Sequence, residues 1–233
     1  MNLLSLDTSS RDASIAVLKN EDVLLEYNFT SPDNLSVTLI PSLEFILKAL
    51  GMKIAEIDVF GICTGPGLFT GIRIGMATLK GLAFSESKPV VAVTSLLALA
   101  YKFADTKKTV IALIDAKKNE VYLGGYRFEN REPVELIPPC LLKIDAIVPL
   151  AAKFPEKIFI GSGADKHSEF LKKNFSYVRR QFRSNYLANE IGRIALQQFK
   201  RQHYLTDLQE LFPFYLRKSD AETNLGNSAA TFD

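Results

Sequence analysis

Alternating hydrophobic and polar residues open the chain and predict three strands. Residues 2–6 carry this pattern, residues 15–18 form a short apolar run and residues 23–29 form a third strand, with short polar turns at 7–12 and 20–22 between them. Strands that are joined by such short turns pair with their chain neighbours in antiparallel order. The N-terminus is therefore predicted to form a three-stranded meander.

Two later segments have helical periodicity but very few charged residues. The first covers residues 35–50 and contains Pro41, and the second covers residues 71–85. Apolar side chains surround more of each helix than the single stripe that packs on one core. We predict that one side of the pair packs on the core and the other contacts a protein partner, with two central helices of one compact domain as the alternative. The residues expected at or beneath that contact are Leu39, Leu43, Ile46, Leu47, Ile72, Arg73, Gly75, Met76 and Leu79.

Small residues on the second predicted helix would let a partner helix approach closely. Gly71, Gly75, Ala77 and Gly81 have this character. We expect the substitution Gly75→Leu to abolish partner binding while the lobe stays folded. The role of Arg73 stays open between a partner contact and a cap for nearby carbonyl groups.

The strand–turn–strand pattern of the N-terminus returns in the middle of the chain. Residues 111–115 form a strand that ends in Asp115, and residues 121–126 form its partner. Asp7 and Asp115 then hold equivalent positions, which indicates a duplicated α/β domain, with a chance match of two hairpins as the alternative. Splitting the chain at its charged connector predicts an N-terminal lobe at 1–105 and a smaller C-terminal lobe at 106–233. We expect the final segment to pack back on the first lobe.

The remaining elements are less regular. They are strands at 89–93 and 157–160, and helices at 95–104, from about Asp165 and at 188–202. The last residues, from Ser219 onward, are small and polar.

Composition limits the classes of function. The chain has 233 residues and a formal net charge of +2, too low for a protein that grips nucleic acid through a general basic field. Its two cysteines, Cys63 and Cys140, lie far apart, which favours reduced thiols and a cytoplasmic location. Because no signal-peptide pattern and no long apolar run is present, we expect no membrane association.

The segment Gly65-Pro66-Gly67-Leu68-Phe69-Thr70-Gly71-Ile72-Arg73-Ile74-Gly75 is the most distinctive motif. It joins a predicted strand to the second predicted helix, but it matches neither a Walker A loop nor the dinucleotide-binding fingerprint. Three interpretations remain: a tight turn, an anion site at a helix start, and close packing of backbone on another element.

Several motifs together resemble the bacterial TsaB (YeaZ) family. They are Asp7-Thr8-Ser9, the Gly65–Gly75 segment, Lys80-Gly81-Leu82-Ala83, Val93-Thr94-Ser95-Leu96, Ile114-Asp115-Ala116, Glu120-Val121-Tyr122 and Pro213-Phe214-Tyr215-Leu216-Arg217. The resemblance is strongest over residues 1–126. It implies the duplicated two-lobe α/β fold of the actin, Hsp70 and sugar-kinase (ASKHA) superfamily.

The resemblance also implies a function. TsaB-like proteins are non-catalytic subunits of the complex that makes N6-threonylcarbamoyladenosine (t6A) at position 37 of tRNA, where they stabilise a catalytic TsaD-like paralogue and support docking of a TsaE-like ATPase. Expected partners are therefore the paralogue, the ATPase and a second copy of the chain, with tRNA bound only through the complex.

The superfamily places phosphates and magnesium at positions equivalent to Asp7, Thr8, Ser9 and Asp115. Lys117 and Lys118 stand where such a hairpin usually carries glycine and hydroxyl residues, so we interpret the site as degenerate. No cofactor of its own is expected, and ATP or ADP with magnesium would bind at the interface of the complex.

Catalytic alternatives find little support among the residues. The only histidines, His167 and His203, form no metal-binding pair, and no nucleophile elbow is present, which argues against transferase and peptidase activity. A stand-alone ATP-dependent phosphotransferase of the sugar-kinase type remains the alternative function. Arg179, Arg180 and Arg183 flank an aromatic residue and raise the further possibility of an RNA contact, with a solvated loop as the plainer interpretation.

Overall fold

The computed structural model describes residues 1–30, 35–175 and 184–217. Its first sheet has five strands, which are β1 (Asn2–Asp7), β2 (Asp12–Lys19), β3 (Asp22–Thr30), β4 (Val59–Gly65) and β5 (Val90–Thr94). Their spatial order is β3-β2-β1-β4-β5. The first three strands form the predicted antiparallel meander, and β4 and β5 extend it in parallel. Three helices belong to this part of the chain: α1 (Leu35–Ala49), α2 (Phe69–Ser85) and α3 (Ser95–Tyr101).

The second sheet has four strands. They are β6 (Thr109–Asp115), β7 (Glu120–Glu129), β8 (Glu132–Lys143) and β9 (Lys157–Ile160), in the order β8-β7-β6-β9. The antiparallel pair β6–β7 repeats β1–β2, and Asp115 ends β6 as Asp7 ends β1. This repetition confirms the predicted duplicated two-lobe α/β fold. The remaining helices are α4 (Ile147–Ala152), α5 (Ser162–Lys166), α6 (Ser168–Asn174) and α7 (Ala188–Lys200).

The hydrophobic pattern does not predict helix α4 or strand β8. Strand β8 carries Pro133, Pro138 and Pro139, residues that cannot donate to a sheet ladder. Because β8 is the outer strand, one of its sides needs no ladder hydrogen bonds, and its register against β7 shifts on either side of Gly125. Helix α5 also begins earlier than expected, at Ser162 rather than near Asp165.

Helices cover both faces of the first sheet. Alternate residues of β1 point to opposite sides: Leu4 and Leu6 pack under α1 and α2, whereas Leu3 faces the layer that contains α3 and α7. Helix α7, although it follows the second sheet in the chain, packs on β1, β2, β4 and β5. Within the described ranges, no helix combines the length and hydropathy that a membrane crossing requires.

Candidate functional site

The glycine-rich motif packs the start of α2 onto the turn that follows β1. The Leu68 amide donates a hydrogen bond to the Ser9 carbonyl at 2.6 Å, and the Thr8 hydroxyl donates to the Gly71 carbonyl at 2.8 Å. A Cβ atom on Gly67 or Gly71 would overlap with the backbone carbonyls of Ser9 and Thr8. Of the three interpretations of the motif, the structure therefore supports close backbone packing.

This packing seals the first predicted phosphate-binding turn. Asp7 and Thr8 are fully buried and Ser9 is 5% exposed. The Asp7 carboxylate accepts a hydrogen bond from the Ser9 amide at 2.9 Å. Burial raises the pKa of Asp7, against the opposing effect of hydrogen bonds from Ser9 and Cys63. In this structure Asp7 and Thr8 are closed off from solvent, whereas Ser9 lines a small cavity.

Asp115 is more exposed than Asp7, but two lysines already occupy its carboxylate. Lys166 Nζ lies 2.8 Å from Oδ1, and Lys117 Nζ lies 3.0 Å from Oδ2. Partial burial opposes ionisation, but the hydrogen bonds from Lys166 and Lys117 outweigh it and lower the pKa of Asp115 to about 2. A carboxylate neutralised in this way is a poor magnesium ligand, so Asp7 and Asp115 do not fit a magnesium–nucleotide site.

The space between the two Asp-bearing hairpins is also small. A cavity of about 120 Å³ lies there, lined by Ser9, Ser10, Ser95 and Ser162 among others. Pockets that hold small-molecule ligands are typically several hundred Å³ in volume. The cavity between the hairpins is therefore smaller than a typical ligand pocket, and neither Asp7 nor Asp115 lines it.

Most of the residues expected at or beneath the partner contact lie beneath it, in the core of the first lobe. Seven are buried: Leu39, Leu43, Ile46, Ile72, Gly75, Met76 and Leu79. Gly75 faces Thr8, and a side chain at this position would overlap with the Thr8 hydroxyl. Gly75→Leu would therefore disturb the fold of the lobe itself, which corrects the expectation that it selectively removes partner binding. Leu47 is half-buried and Arg73 is exposed.

A different set of apolar residues faces outward from α1 and α2. On α1, Val37 is 67% exposed and Phe45 is 58% exposed, and on α2, Phe84 is 79% exposed. Ala77 and Gly81 lie on the exposed side of α2, and a Cβ on Gly81 would meet nothing within 4 Å. The sequence shows both faces of each helix as apolar. Only the position of β1 against α2 reveals which glycines face the core.

A groove of about 650 Å³ runs beside these outward-facing residues. Its lining is mainly apolar and includes Ile40, Leu47, Met52, Ile54 and Leu82. Three charged residues, Glu44, Lys48 and Lys53, also line it. An exposed apolar face that contains charged residues is typical of a surface that another protein covers.

The segment from Pro213 to Arg217, here called the C-terminal strap, joins the two lobes. The Phe214 amide donates to the Thr64 carbonyl of β4 at 2.8 Å. The Arg217 guanidinium donates to the Ala116 carbonyl at 2.6 Å and forms an ion pair with Glu120 in the second lobe. The sequence led us to expect that the C-terminal segment packs back on the first lobe, but not that it also bonds to the second lobe, because nothing in its local pattern indicates long-range hydrogen bonds.

Arg73 contacts the strap, and within the described ranges its side chain caps no carbonyl group. Its guanidinium lies 3.8 Å from the centre of the Phe69 ring, and its Nε donates to the Tyr215 hydroxyl at 3.0 Å. The Phe69 and Tyr215 rings are themselves stacked, with centroids 4.7 Å apart. A cleft of about 440 Å³ opens beside this cluster, between the start of α2 and the β6–β7 turn.

The histidines lie apart from these features. His203 is exposed and His167 is half-buried at the start of α6. Among the residues that the structure describes, no three His, Cys, Asp or Glu side chains are grouped to hold a metal ion. Arg179, Arg180 and Arg183 lie outside the described residues.

Comparison with known proteins gives consistent matches. The family model described as "TsaD: tRNA N6-adenosine threonylcarbamoyltransferase" matches residues 30–225. The chain is 26% identical to the tRNA threonylcarbamoyladenosine biosynthesis protein TsaB of Bacillus subtilis, over 95% of this chain and 96% of that protein. It is 27% identical to the protein of the same name from Haemophilus influenzae, over 93% and 94% of the two chains.

Two solved structures from Pseudomonas aeruginosa share the fold. One, described as an uncharacterized protein with similarity to peptidase YEAZ, has a TM-score of 0.81 at 27% identity, with 93% of this chain and 99% of that chain covered. The other, YeaZ, has a TM-score of 0.75 at 25% identity, with 92% and 99% covered. Similarity therefore extends over nearly the whole length of both structures.

Proposed function

Because this chain belongs to the TsaD-type family, and within it to the TsaB (YeaZ) proteins, we propose that it is a non-catalytic subunit of the bacterial t6A-forming machinery. In this role it binds and stabilises a catalytic TsaD-like paralogue in the cytoplasm and supports docking of a TsaE-like ATPase. Transfer RNA reaches the chain only within the complex. The same surface pairs two copies of the chain when the paralogue is absent.

The outward-facing apolar side of α1 and α2 carries this proposal. Val37, Phe45 and Phe84 each leave more than half of their side chain in water, although other apolar residues of both helices are fully buried. Exposure of large apolar side chains on two adjacent helices is unfavourable unless another surface covers them. Ala77 and Gly81 lie between them on α2 and leave room for a partner helix.

The site geometry supports a subunit without its own chemistry. Asp7 is sealed by the α2 packing, and Asp115 is held by Lys117 and Lys166. A phosphotransferase of the sugar-kinase type, the alternative function, would need these carboxylates to face a magnesium–nucleotide complex. We therefore place any ATP or ADP with magnesium at the joint with the paralogue, where the partner can supply the missing ligands.

Light scattering during size-exclusion chromatography tests the proposal. The chain is expected to form a homodimer alone and a one-to-one heterodimer when mixed with the TsaD-like paralogue of its organism. Ala77→Arg should prevent both associations, because it places a charged side chain on the exposed side of α2 without touching the core. Ala152→Arg is the matched control, since it adds the same side chain at an exposed position of α4 in the other lobe.

Two outcomes would contradict the proposal. If the wild-type chain stays monomeric in the presence of the paralogue, the partner role is wrong. Phosphotransfer by the isolated chain would then be the function to test. Equal behaviour of Ala77→Arg and Ala152→Arg in a chain that does associate would move the contact away from α2. Circular dichroism melting of both variants shows whether each remains folded.

A further inference from the structure

The cleft beside the C-terminal strap has a lining of unusual composition. Three cationic residues and four aromatic residues line it, and none of its lining residues is acidic. They are Lys117, Lys118, Arg217, Phe69, Tyr122, Phe214 and Tyr215. Such a combination favours a ligand that carries both negative charge and a planar ring.

Ion pairs offset only part of the positive charge at the cleft: Arg217 pairs with Glu120, and Lys117 pairs with Asp115. Asp115 is the carboxylate that Lys117 contacts, and Lys166 shares it from the other side. Two lysines therefore share one carboxylate, which leaves an excess of positive charge beside the cleft. The Lys117 side chain is 80% exposed, so its ammonium group can reach a ligand in the cleft.

The lysines are displayed by a turn that is unfavourable for them. Lys117 and Lys118 have φ angles of +62° and +50°, in the left-handed region that glycine and asparagine adopt more easily. Residues held in such conformations are concentrated at functional sites. The strain is therefore consistent with a binding role for the charged tip of the β6–β7 turn.

Tyr215 provides a fixed aromatic surface at the other side of the cleft. One face of its ring stacks on Phe69, its hydroxyl is held by Arg73, and 38% of the residue remains exposed. A ring that is already held in place loses little conformational freedom when a ligand stacks on it. This arrangement resembles the aromatic platforms on which single-stranded nucleic acids stack their bases.

We infer that this cleft binds an unstacked nucleotide of single-stranded RNA, with its base on Tyr215 and its phosphates at Lys117 and Lys118. This inference rests on the proposed function, in which RNA is the substrate of the complex. The lining contains no Asn, Gln, Ser, Thr, Asp or Glu side chain, and we assign its cationic side chains to the phosphates rather than to base edges. The contact is therefore tolerant of sequence and holds the strand without selecting it.

Photo-crosslinking with a single-stranded oligouridylate that contains 4-thiouridine tests the inference on the full-length chain in complex with its TsaD-like paralogue. The crosslinked peptide is expected to contain Tyr215, Tyr122 or Phe69. The double variant Lys117→Asn/Lys118→Asn should reduce the affinity measured by fluorescence anisotropy about tenfold. Because each phosphate contact contributes about 0.7 to the slope of log K against log salt, the loss of two contacts should lower the magnitude of this slope by about 1.4. Asparagine is chosen because it tolerates the left-handed backbone of this turn.

The control variant Lys19→Asn/Lys107→Asn removes the same charge elsewhere. Lys19 pairs with Asn2 at the end of the first sheet opposite Asp7, and Lys107 precedes β6 at the end opposite Asp115. RNA binding by this variant should stay within about twofold of wild type if the contact is local. Tyr215→Leu tests the stacking platform and should weaken binding about tenfold at unchanged salt slope.

Several outcomes would overturn the inference. They are no crosslink to the chain, crosslinks that map outside the cleft, or equal loss of affinity in the control variant. Displacement of the RNA by micromolar AMP would assign the cleft to a free nucleotide instead. If Tyr215→Leu does not fold, the lysine variants and the crosslink map still decide. Because the lysines belong to the β6–β7 turn and not to the outward-facing side of α1 and α2, their double variant should keep its association with the paralogue, which separates this test from that of the proposed function.

Discussion

Asp7 ends the central strand of the first sheet with its carboxylate fully buried. A carboxylate in this position is unfavourable in its charged form, because hydrogen bonds from Ser9 and Cys63 replace only part of its hydration. The same burial, together with the nearby Asp7, raises the pKa of the Cys63 thiol. Asp7 thus reduces stability at neutral pH. At the same time, its hydrogen bond with the Ser9 amide fixes the turn on which α2 packs.

This burial predicts how stability depends on pH. The native state of a group with a raised pKa binds more protons than the unfolded state, so its stabilising contribution is present at low pH and is lost as the pH rises. The loss begins near the ordinary aspartate pKa of 3.8 and continues up to the native pKa of Asp7. Its slope is at most about 1.4 kcal/mol per pH unit.

Asp7→Asn removes this titration while its side-chain oxygen can still accept from the Ser9 amide. The difference in the free energy of unfolding between variant and wild type should therefore grow in favour of the variant as the pH rises from 4 to 7. Urea denaturation across this range measures the difference, in which contributions of Asp115 and other groups cancel. A difference that is independent of pH would contradict the burial of an ionisable Asp7.

Two glycines of α2 offer a matched test of the packing at its start. A methyl group at Gly75 would overlap with the Thr8 hydroxyl, whereas one at Gly81 would meet nothing within 4 Å. Gly75→Ala should lower the free energy of unfolding by about 1–3 kcal/mol through overpacking. Gly81→Ala should raise it by about 0.5–1 kcal/mol, because alanine is the better helix former. Equal effects in urea denaturation would show that α2 does not rest on the β1 turn.

At the scale of secondary structure, hydrophobic periodicity predicted most of the first lobe. The alternation in β1 and β2 and the helical pattern of α1 and α2 are local signals, and the structure contains all four elements. Strand β8 was not predicted, because Pro133, Pro138 and Pro139 interrupt its hydrophobic pattern and its strand conformation depends on pairing with β7. Pairing with a distant segment cannot be read from residues in one window.

For the candidate site too, the local sequence cannot reveal how an element packs in three dimensions, as the faces of α1 and α2 show. Their apolar residues were recognised, but periodicity could not tell the buried side from the exposed one, because both sides are apolar. Gly75 and Gly81 look equivalent in the sequence, yet only Gly75 meets Thr8. The hydrogen bonds of the strap could not be predicted for a related reason, since those to Thr64 and Ala116 join segments far apart in the chain.

At the scale of the whole molecule, the two sheets share one hydrophobic cluster, although each sheet also has a cluster of its own. Helix α3 packs against strands of both sheets, and α7 packs on the first sheet and on α3. The hydrophobic cluster around these helices contains Leu3 and Val59 from the first sheet together with Val110 and Ile158 from the second. The C-terminal strap adds hydrogen bonds to each lobe. A hinge between the lobes would have to break this shared cluster, unlike the open clefts around which two-domain enzymes close.

The shared cluster predicts that the lobes unfold together. Chains of this length with two sheets often unfold in separate steps, because each domain has its own core. Here removal of either lobe would expose the cluster between α3, α7 and both sheets, so partial unfolding is costly. Differential scanning calorimetry should show one transition, with a calorimetric enthalpy close to the van't Hoff enthalpy. Two resolved transitions would mean that the lobes fold independently. The structure would then be compatible with an interlobe hinge, which a phosphotransferase of this fold needs.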